Sequence, residues 1–198
     1  MDLSCFIPDR YKKRMEINIP LDAVMLISVG ELNENKNNQV IIKALGKLKN
    51  RNIHYVLCGV GNRELELKAL ARKMDVVNNV HFLGYRTDVK ELMNAGDVFV
   101  MPSLREGLSR SIMEAMASGL PCVVSRVRGN VDLVKNGENG FLVDPNSTEE
   151  MAAAISEIIQ NRKARLFMER NSLIGVKKFS SENARNKLSE IYNKEFLR

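Results

Sequence analysis

The stretch DVFVMPSLREGLSRSIMEAMASGLPCVVS, residues 97–125, contains the pattern that decides the fold. Two short apolar runs, VFVM at 98–101 and CVVS at 122–125, flank a segment in which Ile112 and Met116 recur at helical spacing. Continuous apolar runs rich in β-branched residues are typical of strands that helices cover on both faces. The stretch therefore predicts a strand–helix–strand unit, which joins parallel strands of one sheet.

The same alternation continues along most of the chain. Amphipathic segments separate four further apolar runs, which lie at residues 24–29, 54–58, 80–83 and 140–143. Because consecutive strand–helix–strand units connect parallel strands by right-handed crossovers, they build one parallel sheet. We therefore predict an α/β fold, a Rossmann-like doubly wound parallel sheet of about six strands with helices on both faces.

Three capping signals mark where helices begin. Side chains of Asn, Asp and Ser accept hydrogen bonds from the first N–H groups of a helix, and a Glu three residues later completes a capping box. The expected caps are Asn62, the pair Asp88 and Glu91, and the pair Ser147 and Glu150. They place helices after the second, third and sixth apolar runs.

Composition excludes several classes of protein. The chain has 198 residues, of which 44% are hydrophobic and 27% are charged, as is typical of one globular domain. Three separated cysteines and two histidines form neither a disulfide framework nor a His-rich metal site, so we expect reduced thiols in a cytoplasmic protein. No apolar run approaches the ~18 residues of a membrane-spanning helix. The opening MDLSCF lacks the apolar core of a signal peptide.

The net charge of +6 is concentrated at the C-terminal end. Residues 162–198 contain ten Lys and Arg against four Asp and Glu, and the rest of the chain is balanced. A basic segment of this kind can bind anionic lipid or nucleic acid. We favour a solvated helix face, or one docked on another domain, because aromatic residues are scarce among the charges. We expect no nucleic-acid partner.

Glycines occur where a ligand would bind. In an open parallel sheet, ligands lie beyond the carboxyl ends of the strands. The loops there contain Gly30, then Gly59 and Gly61, then Gly84. Glycine allows backbone to approach a phosphate or nucleoside closely, although an ordinary turn explains any single one equally well. Glu64 stands where a dinucleotide motif needs its third glycine, and no P-loop motif occurs.

Two glutamates are the candidate chemical groups. Glu106 precedes the helix of the 97–125 stretch, and Glu114 lies within it among apolar residues, where a carboxylate is costly unless hydrogen-bonded. Their eight-residue spacing equals two turns plus ~80°, so both can face one cleft at the helix N-terminus. Free N–H groups there form an anion site, contributed by Gly107, Leu108 and Ser109.

A structural interpretation competes with this one. Glu106 would be a solvated loop residue, and Glu114 would pair with Arg110 one helical turn earlier.

The segment from 102 to 125 resembles the donor-site segment of family 4 glycosyltransferases of the GT-B fold, with its Glu, seven residues, Glu spacing. The strings SVGELNENKNN, LCGVGN, VHFLGYRTDV and GENGFLVDP agree in the family's order. The resemblance concerns only the C-terminal, donor-binding lobe. It implies an interdomain linker remnant at residues 1–20, a nucleotide-sugar-binding Rossmann-like domain at 21–178 and a closing C-terminal helix at 179–198.

The resemblance implies an activity and its partners. A retaining transferase of this family moves a sugar from a nucleoside diphosphate sugar to an acceptor hydroxyl, in polysaccharide or glycolipid biosynthesis. We expect the isolated domain to be inactive or weakly active, because the N-terminal acceptor-binding lobe has no counterpart here. Family usage also implies peripheral membrane association of the full-length protein, at the inner face of the cytoplasmic membrane.

The resemblance also assigns site residues. Glu106 is implied as the catalytic residue that contacts the donor sugar. Sugar and diphosphate are expected to bind Gly30, Lys36, Glu106, Gly107, Leu108 and Ser109. The nucleoside is expected to bind Gly59, Gly61, Tyr85, Arg86 and Glu114. Because the helix N-terminus and cationic side chains stabilise the departing diphosphate, no metal and no other cofactor is expected.

Two positions depart from the family's pattern. Glu31 stands where the family usually has Arg, and a carboxylate beside a diphosphate is repulsive, so we expect it to point away and leave Lys36 alone. Asp132 stands where the family usually has Glu. Glu31 and the absent acceptor lobe favour an alternative, a non-catalytic nucleotide- or polyanion-binding module with the same fold. A nucleotide-sugar epimerase is a weaker alternative.

Overall fold

Six parallel strands form the centre of the structure, a computed structural model that describes residues 7–180, 185 and 192. The strands are β1 (Val24–Val29), β2 (Ile53–Cys58), β3 (Val80–Phe82), β4 (Val98–Met101), β5 (Cys122–Ser125) and β6 (Gly140–Val143). They are ordered β3-β2-β1-β4-β5-β6, and each neighbouring pair is parallel. The chain starts in the middle of the sheet and winds outward in both directions, which confirms the predicted doubly wound fold.

Helices cover both faces of the sheet. They are α1 (Ile7–Glu16), α2 (Gln39–Leu48), α3 (Glu64–Lys73), α4 (Val89–Ala95), α5 (Arg110–Ala117), α6 (Asn130–Leu133), α7 (Thr148–Gln160) and α8 (Arg162–Val176). One hydrophobic cluster lies under α2, α3 and α7, and the other under α4 and α5. Leu26 belongs to the first and Ile27 to the second, because successive strand side chains point to opposite faces.

The Ser147 cap of α7 is confirmed, and the Asn62 cap of α3 is wrong. Ser147 Oγ accepts a hydrogen bond from the Glu150 N–H at 3.1 Å. The residue before α3 is Arg63, and no side chain caps that helix. Asn62 lies one residue too early because the turn continues to Arg63, whose N–H bonds to the carbonyl of Leu32.

Asp88 occupies the N-cap position of α4 without capping it. Its carboxylate accepts hydrogen bonds from Arg86 Nε at 2.7 Å and from Lys13 Nζ at 2.8 Å. The predicted capping box with Glu91 is therefore wrong. Two cationic partners compete for the carboxylate, and charge-assisted hydrogen bonds are stronger than the neutral bond to a backbone N–H.

Helix α1 ties the start of the described chain to the amino end of the sheet. Arg14 is 1% exposed and donates to the carbonyl oxygens of Ala95 and Ala23 at 3.0 and 2.7 Å. Its guanidinium also pairs with Asp97 at 2.6 Å, and the Met25 N–H donates to the same carboxylate. These residues come from three different parts of the chain, so the network joins α1 to the starts of β1 and β4.

The predicted domain boundaries remain predictions. Residues 7–16, placed by the sequence in the linker remnant, form helix α1 packed against α4. Most of the predicted closing helix at 179–198 lies outside the described residues. No helix among the described residues has the length and apolarity needed to span a membrane.

Among the described residues, two cysteines and both histidines are packing residues. Cys58 and Cys122 are buried free thiols, as predicted, and burial raises the pKa of Cys58 to about 12; Cys5 lies outside the described residues. His54 and His81 lie on neighbouring strands, with Nδ1 of the first 2.9 Å from Nε2 of the second. Burial lowers the pKa of His81 to about 4, with a further contribution from His54.

Candidate functional site

Two of the predicted site glycines hold neighbouring loops together at the carboxyl ends of the strands. Gly59 has a φ of +148°, and a Cβ there would lie 1.9 Å from the carbonyl oxygen of Gly30. A Cβ on Gly61 would lie 2.3 Å from the carbonyl oxygen of Leu32. Any larger residue at either position would therefore push the loops apart. Close approach of backbone to backbone is enough to require these two glycines, and their contact with a nucleoside stays a prediction.

A cavity of ≈ 370 Å³ opens between the loops that follow β1, β2 and β3. Its walls include four of the predicted donor-binding residues, Gly30, Gly59, Tyr85 and Arg86. A second cavity of ≈ 580 Å³ adjoins it at Val89, which lines both. The topology thus gathers residues from three separate loops around one hollow at the carboxyl ends of β1, β2 and β3, beside the point between β1 and β4 where the strand order reverses.

Lys36 and Glu106 form an ion pair beside this hollow. Lys36 Nζ lies 2.7 Å from Glu106 Oε1, and the two side chains are 21% and 13% exposed. The Lys36 side chain also packs against Gly30, where a Cβ would lie 3.0 Å from its Cε. The structural interpretation of Glu106 as a solvated loop residue is wrong, because its carboxylate is largely covered and paired.

Asn35 clamps the loop of Lys36 to the loop of Glu106. Its side-chain Nδ2 donates to the Arg105 carbonyl at 3.0 Å, and its Oδ1 accepts from the Arg105 N–H at 3.1 Å. The Asn35 carbonyl also accepts from the Leu104 N–H at 2.8 Å. Sequence reasoning missed this residue. The asparagine-rich string ELNENKNN was the available signal, since Asn side chains commonly bond to loop backbone.

Buried polar side chains at the end of β5 and the start of α6 form hydrogen bonds next to the loop of Glu106. Ser125 Oγ donates to the Ser103 carbonyl at 2.5 Å, and Asn130 Nδ2 donates to the Ser125 carbonyl at 3.0 Å. Gly129 lies so close to the loop that a Cβ would be 2.0 Å from the Gly107 carbonyl oxygen. Ser103 Oγ and Asn130 Oδ1 are buried with no hydrogen-bond partner among the described residues. The sequence offered no signal for this cluster.

The N-terminus of α5 is open. Ser109 is its N-cap residue, with φ −75° and ψ 115°, and no side chain of the described residues caps the helix. Ser109 is buried and its hydroxyl lies 3.1 Å from that of Ser111, whereas Leu108 is 54% exposed. First-turn N–H groups left without a cap attract an anion. Gly107 to Ser109 thus adjoin the positive end of a helix, next to Glu106.

Glu114 lies on the partly exposed side of α5. Its Oε1 accepts from Arg110 Nε at 2.8 Å, and the two side chains are 40% and 88% exposed. The expectation that the carboxylate is surrounded by apolar groups is wrong, because α5 turns Ile112 and Met116 toward the sheet and leaves this face accessible. Glu114 lines the second cavity, whose lining does not include Glu106. A cleft shared by both glutamates stays a prediction.

Arg86 uses its side chain within the protein. Its guanidinium pairs with both Asp88 oxygens, at 2.7 and 2.6 Å, and with Glu16 at 2.8 Å. The hydrogen bonds to Asp88 raise the pKa of Arg86 and, reciprocally, lower the pKa of Asp88. Tyr85 is 79% exposed. The Arg86 charge is therefore used within the protein, and binding of the nucleoside by this loop stays a prediction.

A family model described as glycosyl transferases group 1 matches residues 9–173. The chain belongs to this family. The matched range contains all of the sheet and every residue predicted to bind the donor.

Curated relatives are about a third identical to this chain over the residues that align. The lipopolysaccharide core biosynthesis glycosyltransferase LpsE of Rhizobium meliloti is 34% identical over 170 residues, covering 85% of this chain and 49% of LpsE. An Escherichia coli enzyme named UDP-Gal:alpha-D-GlcNAc-diphosphoundecaprenol alpha-1,3-galactosyltransferase is 30% identical over 201 residues, covering 98% of this chain and 49% of that enzyme. The chain spans about half the length of the curated relatives it matches.

Solved structures place the domain in the GT-B fold. Anabaena HepE in complex with UDP has a TM-score of 0.89 and 25% identity, covering 98% of this chain and 56% of HepE. The C-terminal domain of a glycosyl transferase group 1 protein, LpcC of Francisella tularensis, has a TM-score of 0.77 and 22% identity, covering 85% of this chain and 91% of that domain. The fold is that of a C-terminal GT-B lobe.

The two departures from the family's pattern have different surroundings. Glu31 is exposed, lines the first cavity and accepts a hydrogen bond from Asn33 Nδ2 at 2.9 Å within its own loop. Asp132 lies in the short helix α6, beyond Gly129. In the described part of the chain no three His, Cys, Asp or Glu side chains are grouped to hold a metal ion. The expectation that the donor binds without a metal stays a prediction.

Proposed function

We propose that this domain binds a nucleoside diphosphate sugar and is the donor lobe of a retaining glycosyltransferase, acting in polysaccharide or glycolipid biosynthesis. One observation carries the proposal. The cavity of Gly30, Gly59 and Tyr85 lies beside the Lys36–Glu106 ion pair, so a hollow for a nucleoside adjoins a cation for its phosphates. The HepE neighbour, solved with UDP and with UDP-glucose, supports a nucleotide sugar as the ligand.

The phosphates would bind between Lys36 and the open end of α5. A diphosphate carries more charge than one carboxylate, so it would draw the Lys36 ammonium away from Glu106. The uncapped α5 N-terminus adds a second positive site without a formal charge. As the bond from sugar to phosphate breaks, negative charge grows on the departing diphosphate. Both groups then stabilise it more than they stabilise the bound donor.

Release from Lys36 would leave the Glu106 carboxylate as a hydrogen-bond acceptor for hydroxyls of the donor sugar. Its side chain is 13% exposed, so few water molecules compete for these bonds. The buried cluster of Ser125 and Asn130 beneath the loop would hold it in place during this exchange. Glu106 would act on the sugar, and Lys36 on the phosphates.

Glu114 would exchange Arg110 for the ribose hydroxyls. The Arg110 side chain is 88% exposed, and such surface ion pairs contribute only about 0–1 kcal/mol. Loss of the Arg110 ion pair therefore reduces the free energy of donor binding only slightly. Glu114 would reach the ribose from the second cavity, which meets the first at Val89.

Titration calorimetry with UDP-glucose, UDP-galactose and GDP-mannose tests the proposal on the 198-residue chain. We expect saturable binding of one of these donors, and Glu114→Ala to weaken it about tenfold, the effect of losing hydrogen bonds to a charged group. Glu169→Ala is the matched control, because Glu169 is 37% exposed and pairs with Arg165 four residues earlier on α8, as Glu114 pairs with Arg110 on α5. Absence of saturable binding by any of the three would contradict the proposal.

The non-catalytic module remains the second candidate, because Glu31 adds a negative charge to the cavity wall. The two candidates differ in how they treat the sugar. A donor lobe binds a nucleotide sugar through both phosphate and sugar, so Glu106→Gln should weaken UDP-sugar binding and leave UDP binding intact. A module that recognises only the nucleotide would show the same response to both ligands. We further propose that transfer needs the acceptor lobe, so the domain alone is inactive or weakly active.

A further inference from the structure

The solvent face of α8 combines basic and large apolar side chains. Leu166, Phe167, Leu173 and Ile174 are 51%, 55%, 44% and 55% exposed. The basic side chains on the same face are Arg162, Lys163 and Arg170. The opposite face of the helix buries Met168 and Ser172. Residues three and four apart are neighbours on a helix, so Arg170 is surrounded by the four apolar side chains.

No acid interrupts this face. The single acid of α8 is Glu169, which is half-buried at the edge of the helix and lies 3.5 Å from Arg165. A typical solvated helix mixes both signs of charge and exposes few large apolar residues. Four exposed apolar side chains in one contiguous patch are more than solubility requires. The face therefore has the composition of a docking surface for a partner that is both anionic and apolar.

The position of α8 separates it from the donor site. Ser172 Oγ donates to the Leu120 carbonyl at 2.8 Å, and Asn171 Nδ2 donates to the Glu138 carbonyl at 2.9 Å. Leu120 and Glu138 precede β5 and β6, so the middle of α8 lies at the amino ends of these strands. The donor cavity lies at the carboxyl ends. An acceptor lobe that closes over the donor would therefore face the other end of the sheet.

We propose that the α8 face docks on an anionic membrane surface. Lys and Arg attract the phosphates of anionic headgroups, and Phe and Leu side chains enter the boundary with the acyl chains. A nucleic acid would match the charges but offers no place for leucine and isoleucine, since bases stack on aromatic side chains. The inference does not depend on the proposed transferase activity.

A single tryptophan provides the test, because the chain has none. We expect Phe167→Trp to show a blue-shifted emission with vesicles of phosphatidylcholine and phosphatidylglycerol, and to be quenched by brominated lipid. With phosphatidylcholine alone, or at high salt, the shift should disappear. Leu65→Trp is the matched control, because Leu65 is 81% exposed as an isolated apolar residue on α3. The emission maximum of Leu65→Trp should stay at the wavelength of a tryptophan in water.

Vesicle sedimentation separates the apolar from the electrostatic contribution. Ile174→Gln and Arg170→Glu should each weaken binding to the anionic vesicles by about tenfold. Leu65→Gln and Lys73→Glu, on exposed positions of α3, should leave it unchanged. All four variants should bind a nucleotide sugar as the parent does, so that a failure of donor binding is distinguishable from a failure of docking.

Three results would overturn the inference. The first is the absence of binding to anionic vesicles at low salt. The second is vesicle binding that the α8 variants leave unchanged. The third is a different occupant of the face, seen either as RNA or DNA binding or as a dimer in sedimentation, in each case lost in Arg170→Glu or Ile174→Gln while vesicles do not bind.

Discussion

The two ends of the sheet differ in how completely the protein pairs its own charged and polar groups. At the amino end, Arg14 is 1% exposed, and its guanidinium is satisfied by Asp97 and by backbone carbonyls. At the carboxyl end, Lys36 has one carboxylate partner, the α5 N-terminus has no side-chain cap, and Ser103 Oγ has no partner among the described residues. One end is completed by the protein itself. The other has polar and charged groups left to bind a ligand, which is why we propose the donor site there.

The largest effect should come from removing Arg14 from its buried network at the amino end of the sheet. Arg14→Met leaves the Asp97 carboxylate with one partner fewer in a buried place, which typically costs about 3–5 kcal/mol of unfolding free energy. Urea denaturation measures it. Arg10→Met is the control, because Arg10 pairs with the same carboxylate while 35% exposed, and should cost at most about 1 kcal/mol. Equal costs for the two variants would show that burial does not distinguish the pairs.

Substitutions at the carboxyl end of the sheet should change the affinity for the donor rather than the free energy of unfolding. Lys36→Met removes the cation for the phosphates and should weaken UDP-sugar binding by about 10- to 100-fold, the range for a charge-assisted hydrogen bond. Lys73→Met, an exposed lysine at the end of α3, should have no effect. Calorimetry measures both. If Lys36→Met bound the donor as tightly as the parent, the phosphates would have to lie elsewhere.

A smaller effect is expected at Asn35, which joins the loop of Lys36 to the loop of Glu106 at the carboxyl end of the sheet. Asn35→Ala removes two hydrogen bonds to Arg105 and should cost about 1–2 kcal/mol of stability. Amide hydrogen exchange should speed up at Leu104 and Arg105. Asn171→Ala removes one bond at the other end of the sheet and should leave these two amides protected. Unchanged exchange in Asn35→Ala would mean that the loop is held without the clamp.

The smallest effect is confined to acidic pH. Burial lowers the pKa of His81 from 6.5 to about 4, so the unfolded chain binds a proton there before the folded one does. The His81 contribution to stability is complete above pH 6.5 and falls as the pH drops toward 4. His81→Gln should therefore flatten the fall in unfolding free energy across this range. Urea denaturation at several pH values measures it, and an unchanged slope would contradict the assignment.

The strands were predictable because parallel strands are buried on both faces. Val24–Val29, Val98–Met101, Cys122–Ser125 and Gly140–Val143 are continuous apolar runs, and the structure has the same bounds. Helix caps were less predictable. Asp88 has the right residue type at the right place, yet Arg86, two residues before it, and Lys13, distant in sequence, take its carboxylate. Residue type at the cap position does not reveal such competitors.

The sequence proposed candidate site residues but not their contacts. The resemblance selected Lys36, and spacing together with the resemblance selected Glu106, but their ion pair joins positions 70 residues apart. The exposure of Glu114 depended on which side of α5 packs against the sheet, and apolar neighbours on both sides of it in the sequence hid this. Asn35 and Asn130 act through backbone carbonyls of other loops. No sequence pattern marks such partners.

Chemical-shift mapping of the chain with UDP-glucose reports where a donor binds. We expect saturable shifts at amides of the carboxyl-end loops, around Gly30, Gly59, Tyr85 and 106–109, while the amides around Arg14 and Asp97 keep their positions. Shifts centred on the amino end of the sheet would contradict a donor site at the carboxyl end. The absence of any saturable shift would contradict donor binding itself.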